Sequence, residues 1–255
     1  LNLEQSGEDT LIKFDKDGKD GSESEGITVA ILKNVQASSL VADNFNPNFP
    51  PDGSAAISQE LVGTPEPDTL TGGFGDDTIY GNGGNDEIDG QAGSDVIYGG
   101  EGDDVIIGNF GDDTLYGEAG NDTITDDQGA NFIDGGEGDD TLSSRSLSGN
   151  HILIGGTGLD NISGTGENLY IDGGEGNDSL SVYGYVQNEG VNNYLISGEA
   201  IILAGGGNDN IYADNFINVN SRGGEGNDNL NSYNWYQWAS TIAFYGEEGD
   251  DYGYI

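Results

Sequence analysis

The sequence has no cysteine, no methionine, one histidine and only six basic residues among its 255 positions. Without cysteine there can be no disulfide framework, no thiolate metal site and no cysteine nucleophile. No apolar run approaches the ~20 residues that cross a bilayer, so we expect no membrane insertion. No basic segment precedes an apolar one as in a signal peptide, and Leu1 is not an initiator methionine, so we expect a fragment of a longer protein.

Positive charge is too scarce to balance the acidic residues. The chain has 47 Asp and Glu against 6 Lys and Arg, which gives a net charge of −41. Such a charge repels nucleic-acid phosphates and anionic membrane surfaces, so neither is an expected partner. Only 33% of the residues are hydrophobic, and a chain with this balance stays unfolded unless something neutralises it. The chain is therefore either disordered or folded around cations.

Glycine and aspartate, in contrast, are abundant and regularly spaced. The 46 glycines argue against a mainly helical fold, because glycine weakens helix interiors. Residues 63–143 divide into nine consecutive blocks of nine residues without an insertion, and residues 99–107, for example, read GGEGDDVII. Position eight is Leu or Ile in every block, position six is Asp in all but one (Asn131), and position four is Gly in all but the first (Glu66). A pattern this regular indicates a repeat architecture.

Each block predicts a tight turn followed by a short strand. Glycines permit left-handed dihedral angles in the first six residues, and the last three residues are apolar or otherwise suited to a strand. Because neighbouring residues of a strand point to opposite faces, the Ile or Leu at position eight points inward and stacks on the next coil. Two blocks per coil predict an all-β fold, a right-handed parallel β-roll or β-solenoid with a small N-terminal β segment.

Stacked coils would place the aspartates of position six in two columns, one along each edge of the solenoid. Carboxylates of adjacent coils, ~4.8 Å apart, cannot all stay ionised without cations between them. Carboxylate and carbonyl oxygens in flexible turns suit Ca²⁺ better than Mg²⁺, and one histidine without thiols makes Zn²⁺ a poor candidate. Asn131 should weaken the site that it would share with Asp113. The predicted pairs are Asp77 with Asp95, Asp86 with Asp104, Asp95 with Asp113, Asp104 with Asp122, and Asp122 with Asp140.

The blocks resemble the nonapeptide of the RTX (repeats-in-toxin) family, Gly-Gly-x-Gly-x-Asp-x-apolar-x. The resemblance implies a parallel β-roll that binds several Ca²⁺ ions in its turns, in bacterial proteins exported by a type I secretion system. It also implies a chain that stays unfolded in the low-calcium cytoplasm and folds outside the cell. The charge balance favours the same behaviour, because ion binding that requires the folded turns adds to the free energy of folding.

The repeat loosens after Ser143 but does not disappear. Full or near-full turns recur mostly one coil apart, so we expect calcium to continue along one edge only, the edge of Asp122 and Asp140, with longer metal-free turns opposite. Residues 182–194 are interpreted as an insertion or an enlarged coil. The candidate calcium ligands are the carboxylates of position six and the glycines of positions one and four. They are Asp68, Gly72, Gly75, Asp77, Gly81, Gly84, Asp86, Gly90, Gly93, Asp95, Gly99, Gly102, Asp104, Gly108, Gly111, Asp113, Gly117, Gly120, Asp122, Gly135, Gly138, Asp140, Gly155, Gly158, Asp160, Gly173, Gly176, Asp178, Asp209, Gly223, Gly226, Asp228, Gly246, Gly249 and Asp251.

The N-terminal part differs in composition from the repeats. All four lysines fall in residues 13–33, where the runs 10–14 and 26–32 predict a hairpin around an acidic loop. All five prolines lie in residues 47–67. The predicted organisation is an N-terminal β-hairpin or strand region (1–46), a Pro-rich linker (47–62), the regular calcium-binding β-roll (63–143) and a degenerate continuation with an aromatic-rich cap (144–255).

No catalytic constellation is apparent, because the sequence lacks a nucleophile elbow, an HExxH motif and a phosphate-binding loop. His151 is expected at a surface turn. The aromatic residues near the C-terminus are interpreted as a cap over the last coil, with a sugar-stacking platform as the alternative. They are Tyr233, Trp235, Tyr236, Trp238, Phe244 and Tyr245. We therefore expect no enzyme activity in this chain.

The favoured hypothesis is a calcium-binding module of a secreted bacterial exoprotein, extracellular or attached to the cell surface. It would fold on binding Ca²⁺ outside the cell and so support type I secretion and stability. One alternative is an adhesin or surface-layer component that associates with itself or with glycans through calcium. Another is the accessory tail of a secreted hydrolase.

Overall fold

The computed structural model describes residues 2–6, 9–14, 27–32, 57–146, 149–166, 168–188, 194–197, 199–214, 218–233 and 241–254. All the regular elements in these ranges are β-strands, which confirms the all-β prediction. None of these ranges contains a helix of the length and apolarity that crossing a bilayer would need. The chain divides into two compact units, residues 1–58 and 59–255.

The first unit contains a three-stranded antiparallel sheet. Its strands are β1 (Asn2–Ser6), β2 (Asp9–Phe14) and β3 (Ile27–Leu32), in the order β1-β2-β3. The antiparallel pairing of β2 with β3 confirms the predicted hairpin, and β1 adds a strand that the sequence analysis did not identify. The acidic loop between β2 and β3 and most of the Pro-rich segment lie outside the described residues.

The second unit is built from two parallel sheets. One sheet has ten strands in the order β23-β21-β19-β16-β14-β12-β10-β8-β6-β4. These are β4 (Glu60–Val62), β6 (Thr78–Gly83), β8 (Val96–Glu101), β10 (Thr114–Ala119), β12 (Phe132–Glu137), β14 (Asn150–Thr157), β16 (Asn168–Glu175), β19 (Glu199–Gly206), β21 (Asn218–Glu225) and β23 (Thr241–Glu248).

The other sheet has eleven strands, ten of them in the order β24-β22-β20-β17-β15-β13-β11-β9-β7-β5. These are β5 (Thr69–Phe74), β7 (Glu87–Ala92), β9 (Val105–Phe110), β11 (Thr123–Asp126), β13 (Thr141–Ser144), β15 (Asn161–Gly166), β17 (Ser179–Asn188), β20 (Asn210–Asp214), β22 (Asn229–Tyr233) and β24 (Tyr252–Tyr254), with β18 (Tyr194–Ser197) paired to β17. Because the consecutive strands from β4 to β24, apart from β18, alternate between the two sheets, the chain winds as a parallel β-solenoid, as predicted.

The register between coils follows the two-block repeat. In the regular part Thr78 pairs with Val96, which is 18 residues later, and the same offset joins Thr114 to Phe132. The coil that contains β17 is longer, because the last residues of β17 pair antiparallel with β18, with Tyr185 opposite Ser197. The parallel register nevertheless resumes from β17 to β20, so the extra residues leave the stacking of the coils intact.

The strands are longer than the sequence analysis predicted. A strand such as β6 covers six residues, positions seven to nine of one block and one to three of the next, and positions four to six lie between strands. The prediction of six turn residues was wrong because the first glycine of a block is compatible with extended backbone. The bend comes at position two, where Asn82 has a φ of 72°, and at position four, where Gly84 has a φ of 93°.

A ladder of aliphatic side chains fills the interior between the sheets. The position-eight residues from Ile79 onward are fully buried, whereas Leu70 in the first coil is partly buried. On the outer face Tyr80, Tyr98 and Tyr116 stack with ring centroids 5.0–5.1 Å apart. At the C-terminal end Phe244 packs against the core, while Trp235 and Trp238 of the predicted cap lie outside the described residues.

Candidate metal centre

Each turn holds its position-six aspartate by one carboxylate oxygen. The backbone N–H of Asp77 donates to Oδ1 of Asp95 at 2.7 Å, and that of Asp86 donates to Oδ1 of Asp104 at 2.8 Å. The same bond is repeated along both edges, between an aspartate and the one in the next coil. We name the two edges after Asp77 and Asp86. These bonds bring together the pairs predicted from the sequence.

The other carboxylate oxygen, Oδ2, is buried and finds no hydrogen-bond partner among the residues that the structure describes. An isolated buried carboxylate is unfavourable by several kcal/mol, so these oxygens require protons or cations. Ten aspartates share this property: Asp77, Asp86, Asp95, Asp104, Asp122, Asp140, Asp160, Asp178, Asp209 and Asp228. The Oδ2 atoms of Asp113 and Asp126 are buried in the same way, but these two carboxyl groups lie within hydrogen-bonding reach of each other.

Burial also shifts the titration of these carboxyl groups. Desolvation raises the pKa of Asp95, Asp122 and Asp160 to about 7, although a backbone hydrogen bond to each works in the opposite direction. It raises the pKa of Asp104 and Asp140 to about 6. Neighbouring carboxylates add to each of these increases. A bound cation would reverse the effect, because opposite charge favours the ionised form.

The free Oδ2 oxygens lie directly against the position-one glycines. A Cβ atom placed on Gly72 would lie 2.5 Å from Oδ2 of Asp77 and 2.6 Å from the carbonyl oxygen of Gly90. We call this space, bounded by the glycine, the carboxylate and the carbonyl of the next coil, a glycine pocket. A side chain at position 72 would collide with both oxygens, which explains why position one is nearly always glycine.

The glycine pockets fit a calcium ion. They offer hard carboxylate and carbonyl oxygens, the ligand set that Ca²⁺ takes in flexible turns. Within the described ranges no three side chains of His, Asp or Glu converge on one point, so backbone carbonyls must supply much of the coordination. The residues that would hold the ions are the position-six aspartates and the position-one glycines.

The position-four glycines occupy a different part of the turn. A Cβ on Gly93 would collide with the carbonyl oxygen of Gly75, and one on Gly102 with that of Gly84. Each glycine therefore stacks backbone on backbone against the glycine one coil earlier. Their φ angles, 144° for Gly93 and 125° for Gly102, add a second reason for glycine at this position.

The Asp86 edge keeps its aspartates to the end of the described chain. Asp140 N–H donates to Oδ1 of Asp160, and Asp178 N–H donates to Oδ1 of Asp209 even though 31 residues separate them. The column ends with Asp228 N–H donating to Oδ1 of Asp251 at 3.0 Å. Ala204 takes the place of the position-one glycine beside Asp209.

The Asp77 edge changes character after Asp113. The next positions of the same column are Asn131, His151, Leu169, Ala200, Val219 and Ile242. The position-one column changes with it, from glycine to Asp126, Ser144, Gly164, Val182, Ala213 and Ser232. The glycine pockets are thus replaced by side chains, and Gly164 faces the methyl groups of Leu169.

His151 lies inside the solenoid, so its predicted place at a surface turn was wrong. It is 1% exposed and belongs to β14. Its Nδ1 lies 3.4 Å from the backbone nitrogen of Asn131, which donates to it, and 3.2 Å from Oγ of Ser144. The imidazole thus takes over the backbone hydrogen bond that an aspartate makes in the regular coils.

Two residues of the site could not be placed from the repeat pattern. Asp68 was a candidate ligand, but its Oδ2 accepts hydrogen bonds from the backbone N–H and hydroxyl of Thr64 in its own turn. Asp126 was not a candidate, because it stands at position one, yet its carboxylate points into a glycine pocket. The sequence feature that could have identified Asp126 is that it stands at position one, where the other blocks have glycine.

Comparison with known families agrees with this geometry. The model of the RTX calcium-binding nonapeptide repeat (4 copies) matches more than half of the chain, at residues 62–97, 82–115, 89–124, 116–146, 147–181 and 197–219. Comparison with curated proteins and with solved structures finds no match.

Proposed function

This chain belongs to the RTX family of calcium-binding nonapeptide-repeat proteins, and on that premise we propose how calcium controls it. The chain is a calcium-binding module that remains unfolded at low calcium concentration. It winds into the solenoid when calcium fills the glycine pockets. The buried Oδ2 oxygens carry this proposal, because each leaves a charge that the folded chain does not neutralise by itself.

The coupling between binding and folding follows from where the ligands come from. A pocket such as that of Gly72 needs Asp77 from its own turn and the Gly90 carbonyl from the next coil. The unfolded chain does not hold these oxygens together, so the free energy of calcium binding is added to that of folding.

We propose further that the module belongs to a secreted bacterial exoprotein and acts without catalysis. A chain that is unfolded in the low-calcium cytoplasm is suited to export through a type I secretion system, and extracellular calcium would then fold it. Membership of the family and the net charge of −41 support this proposal.

Circular dichroism and small-angle scattering during calcium titration of chelated protein test the proposal. We expect a transition from coil to β-structure with a large decrease in radius, at calcium concentrations of ~10⁻⁴–10⁻³ M, the range of extracellular modules. Magnesium at the same concentrations should leave the chain unfolded. A compact β-rich protein in chelator at neutral pH would contradict calcium-driven folding.

The same titration separates the finer parts of the proposal. A midpoint at ~10⁻⁷ M would still support a calcium-binding module. It would contradict folding only outside the cell, because cytosolic calcium sensors bind at this concentration and above, so the chain could already fold in the cytoplasm. Sedimentation at saturating calcium distinguishes a self-sufficient module, expected as a monomer, from an adhesive component that self-associates.

A further inference from the structure

Three tyrosines form a stacked column on the outer face of the ten-stranded sheet. The parallel register places Tyr80 beside Tyr98 and Tyr98 beside Tyr116, each pair one coil apart. The ring centroids lie 5.1 Å apart in the first pair and 5.0 Å apart in the second, and the ring planes differ by only 4° and 8°. Each phenol ring therefore stacks on the ring of the next coil.

The column of phenols is limited to these three coils. Its next position after Tyr116 is Asp134, and its position before Tyr80 is Val62. Tyr116 also contacts the ring of Phe132, which is tilted by 54° and has no hydroxyl group. The three tyrosines are half-buried, so small solutes can reach part of each ring from the outer face.

The sequence offers oxidants no sulfur atom as an alternative target. It has no cysteine and no methionine among its 255 residues. Cysteine and methionine sulfur are the usual sites of oxidation in proteins. Their absence leaves the aromatic side chains, among them 13 tyrosines and two tryptophans, as the most easily oxidised groups of this chain.

We propose that the column of Tyr80, Tyr98 and Tyr116 is a site of oxidative cross-linking, where a dityrosine bond joins neighbouring coils. The co-reactant is a peroxide activated by haem, which removes one electron and one proton from each of two phenols. The two phenoxyl radicals couple through ring carbons ortho to oxygen (Cε) and form one C–C bond. Each coupled carbon loses its hydrogen as a proton and each phenol oxygen takes one up, so two phenols and one H₂O₂ give one dityrosine and two H₂O.

Stacking favours this reaction because a phenoxyl radical must meet a second ring before it decays. In the solenoid the second ring is already in contact, whereas the unfolded chain holds the two phenols at a roughly millimolar effective concentration. Rotation of the half-buried side chains closes the remaining distance between the Cε atoms. Coupling therefore requires the folded coils, and its dependence on calcium rests on the proposed function.

A dityrosine bond in this column would act on folding in the way that a disulfide does. It would close a loop of one coil and restrict the unfolded chain, which favours the folded state. The cross-linked coils should consequently stay wound at a lower calcium concentration than the unmodified ones.

Oxidation of the whole chain by a small haem peptide and hydrogen peroxide, followed by peptide mass spectrometry, tests the proposal. In dilute protein with saturating calcium we expect peptides that join Tyr80 to Tyr98 or Tyr98 to Tyr116, and the yield should fall at least roughly tenfold when chelator unfolds the chain. Cross-links only between molecules, none in this column, or an equal yield in the unfolded chain would overturn the proposal. An equal yield in a chain that stays folded in chelator would support the cross-linking site and contradict only calcium-driven folding.

The variant Tyr98→Phe gives an independent test, because it keeps a stacked ring but removes the phenol that both pairs share. Most of the dityrosine fluorescence of the oxidised monomer should be lost. Oxidation should lower the calcium concentration at the folding midpoint in the wild type and not in this variant. The matched control is Tyr170→Phe, which removes a phenol from β16 of the same sheet and should behave as the wild type. Unchanged fluorescence in folded Tyr98→Phe would assign the coupling to other tyrosines and overturn the proposal.

Discussion

The two oxygens of each buried aspartate have different roles in this protein. Oδ1 joins neighbouring coils through a backbone N–H, as Asp104 does with Asp86, and this bond requires only an acceptor. Oδ2 faces the glycine pocket and carries the charge that calcium would neutralise in the proposed function. An asparagine can therefore keep the first role while losing the second.

The variant Asp104→Asn tests this division. Its Oδ1 can still accept from the backbone N–H of Asp86, so the link between the coils is kept while the charge on Oδ2 is removed. In saturating calcium we expect a loss of about 2–3 kcal/mol, the contribution of one filled site. Asp103→Asn, which alters the exposed neighbour, is the control. Denaturant titrations in saturating calcium measure this loss, and equal behaviour of the two variants would contradict this account.

Backbone geometry separates two kinds of position with positive φ. Gly102 has a φ of 125°, and a Cβ there would collide with the carbonyl of Gly84, whereas Gln91 tolerates a φ of 72° with its side chain in place. The first position needs glycine for space and for dihedral freedom. The second position, that of Gln91, requires only a residue that tolerates a positive φ.

We therefore expect Gly102→Ala to lose about 2–4 kcal/mol of stability in calcium, from a steric clash added to backbone strain. Gln91→Gly should change stability by less than ~1 kcal/mol, because relief of strain is offset by the greater freedom of glycine in the unfolded chain. Thermal unfolding in saturating calcium measures both. Equal losses would show that the clash at Gly102 is relieved by small movements.

At the scale of the strands, the Asp77 edge is stabilised in one way in its first coils and in another way in its later coils. The first coils of the Asp77 edge use glycine and aspartate, and the later ones use pairs such as Gly164 with Leu169. In this pair a small residue in one strand faces a larger one in the next. Apolar packing replaces the charged pocket there, so we expect no calcium on the later part of this edge.

Leu169→Ala tests this replacement. Leu169 is 3% exposed, and we expect the loss of its packing to destabilise the calcium-bound protein by about 2–5 kcal/mol. The number of bound calcium ions should not change. Ile152→Ala is the control, because Ile152 is 38% exposed on the outer face and should lose less than half as much. A reduced calcium count in Leu169→Ala would place an ion on this edge and contradict the account.

Across the whole molecule, we expect the buried carboxyl groups to make folding depend on both protons and calcium. In the absence of metal, burial raises the pKa values of several aspartates to about 6 or 7 in the folded state. A carboxyl group whose pKa is higher in the folded state than in the unfolded state stabilises the fold, and this stabilisation is fully present at pH values below its unfolded pKa. That contribution disappears as the pH rises through the folded value.

The chelated protein should therefore gain β-structure on acidification from pH 8 to about pH 4 and lose it again as the pH rises through about 6 to 7. In calcium the folded state should persist at neutral pH, and the calcium concentration at the midpoint should increase as the pH falls from 7 to 5. Circular dichroism at several pH values, with chelator or calcium, measures both trends. A chelated protein that is equally unfolded at pH 4 and pH 8 would contradict the first.

The sequence by itself determined the features that depend on the nine-residue period. The stacked aliphatic ladder, the two columns of aspartates and the parallel solenoid all follow from alternating strand faces and evenly spaced glycines. These are local properties, because every block repeats the same turn and the same strand. The irregular spacing of Asp178 and Asp209 could be recognised because the turn motif survived on both sides of the longer coil.

Only the tertiary structure decided what happens where the pattern fails. His151, Asp126 and Leu169 belong to columns whose members lie a full coil or more apart, and the register of those columns depends on how the coils stack. The interior of one edge is filled jointly by two strands, so a change from carboxylate to imidazole or leucine has meaning only beside its partner in the next turn. A sequence displays each departure from the repeat, but packing determines which departures compensate one another.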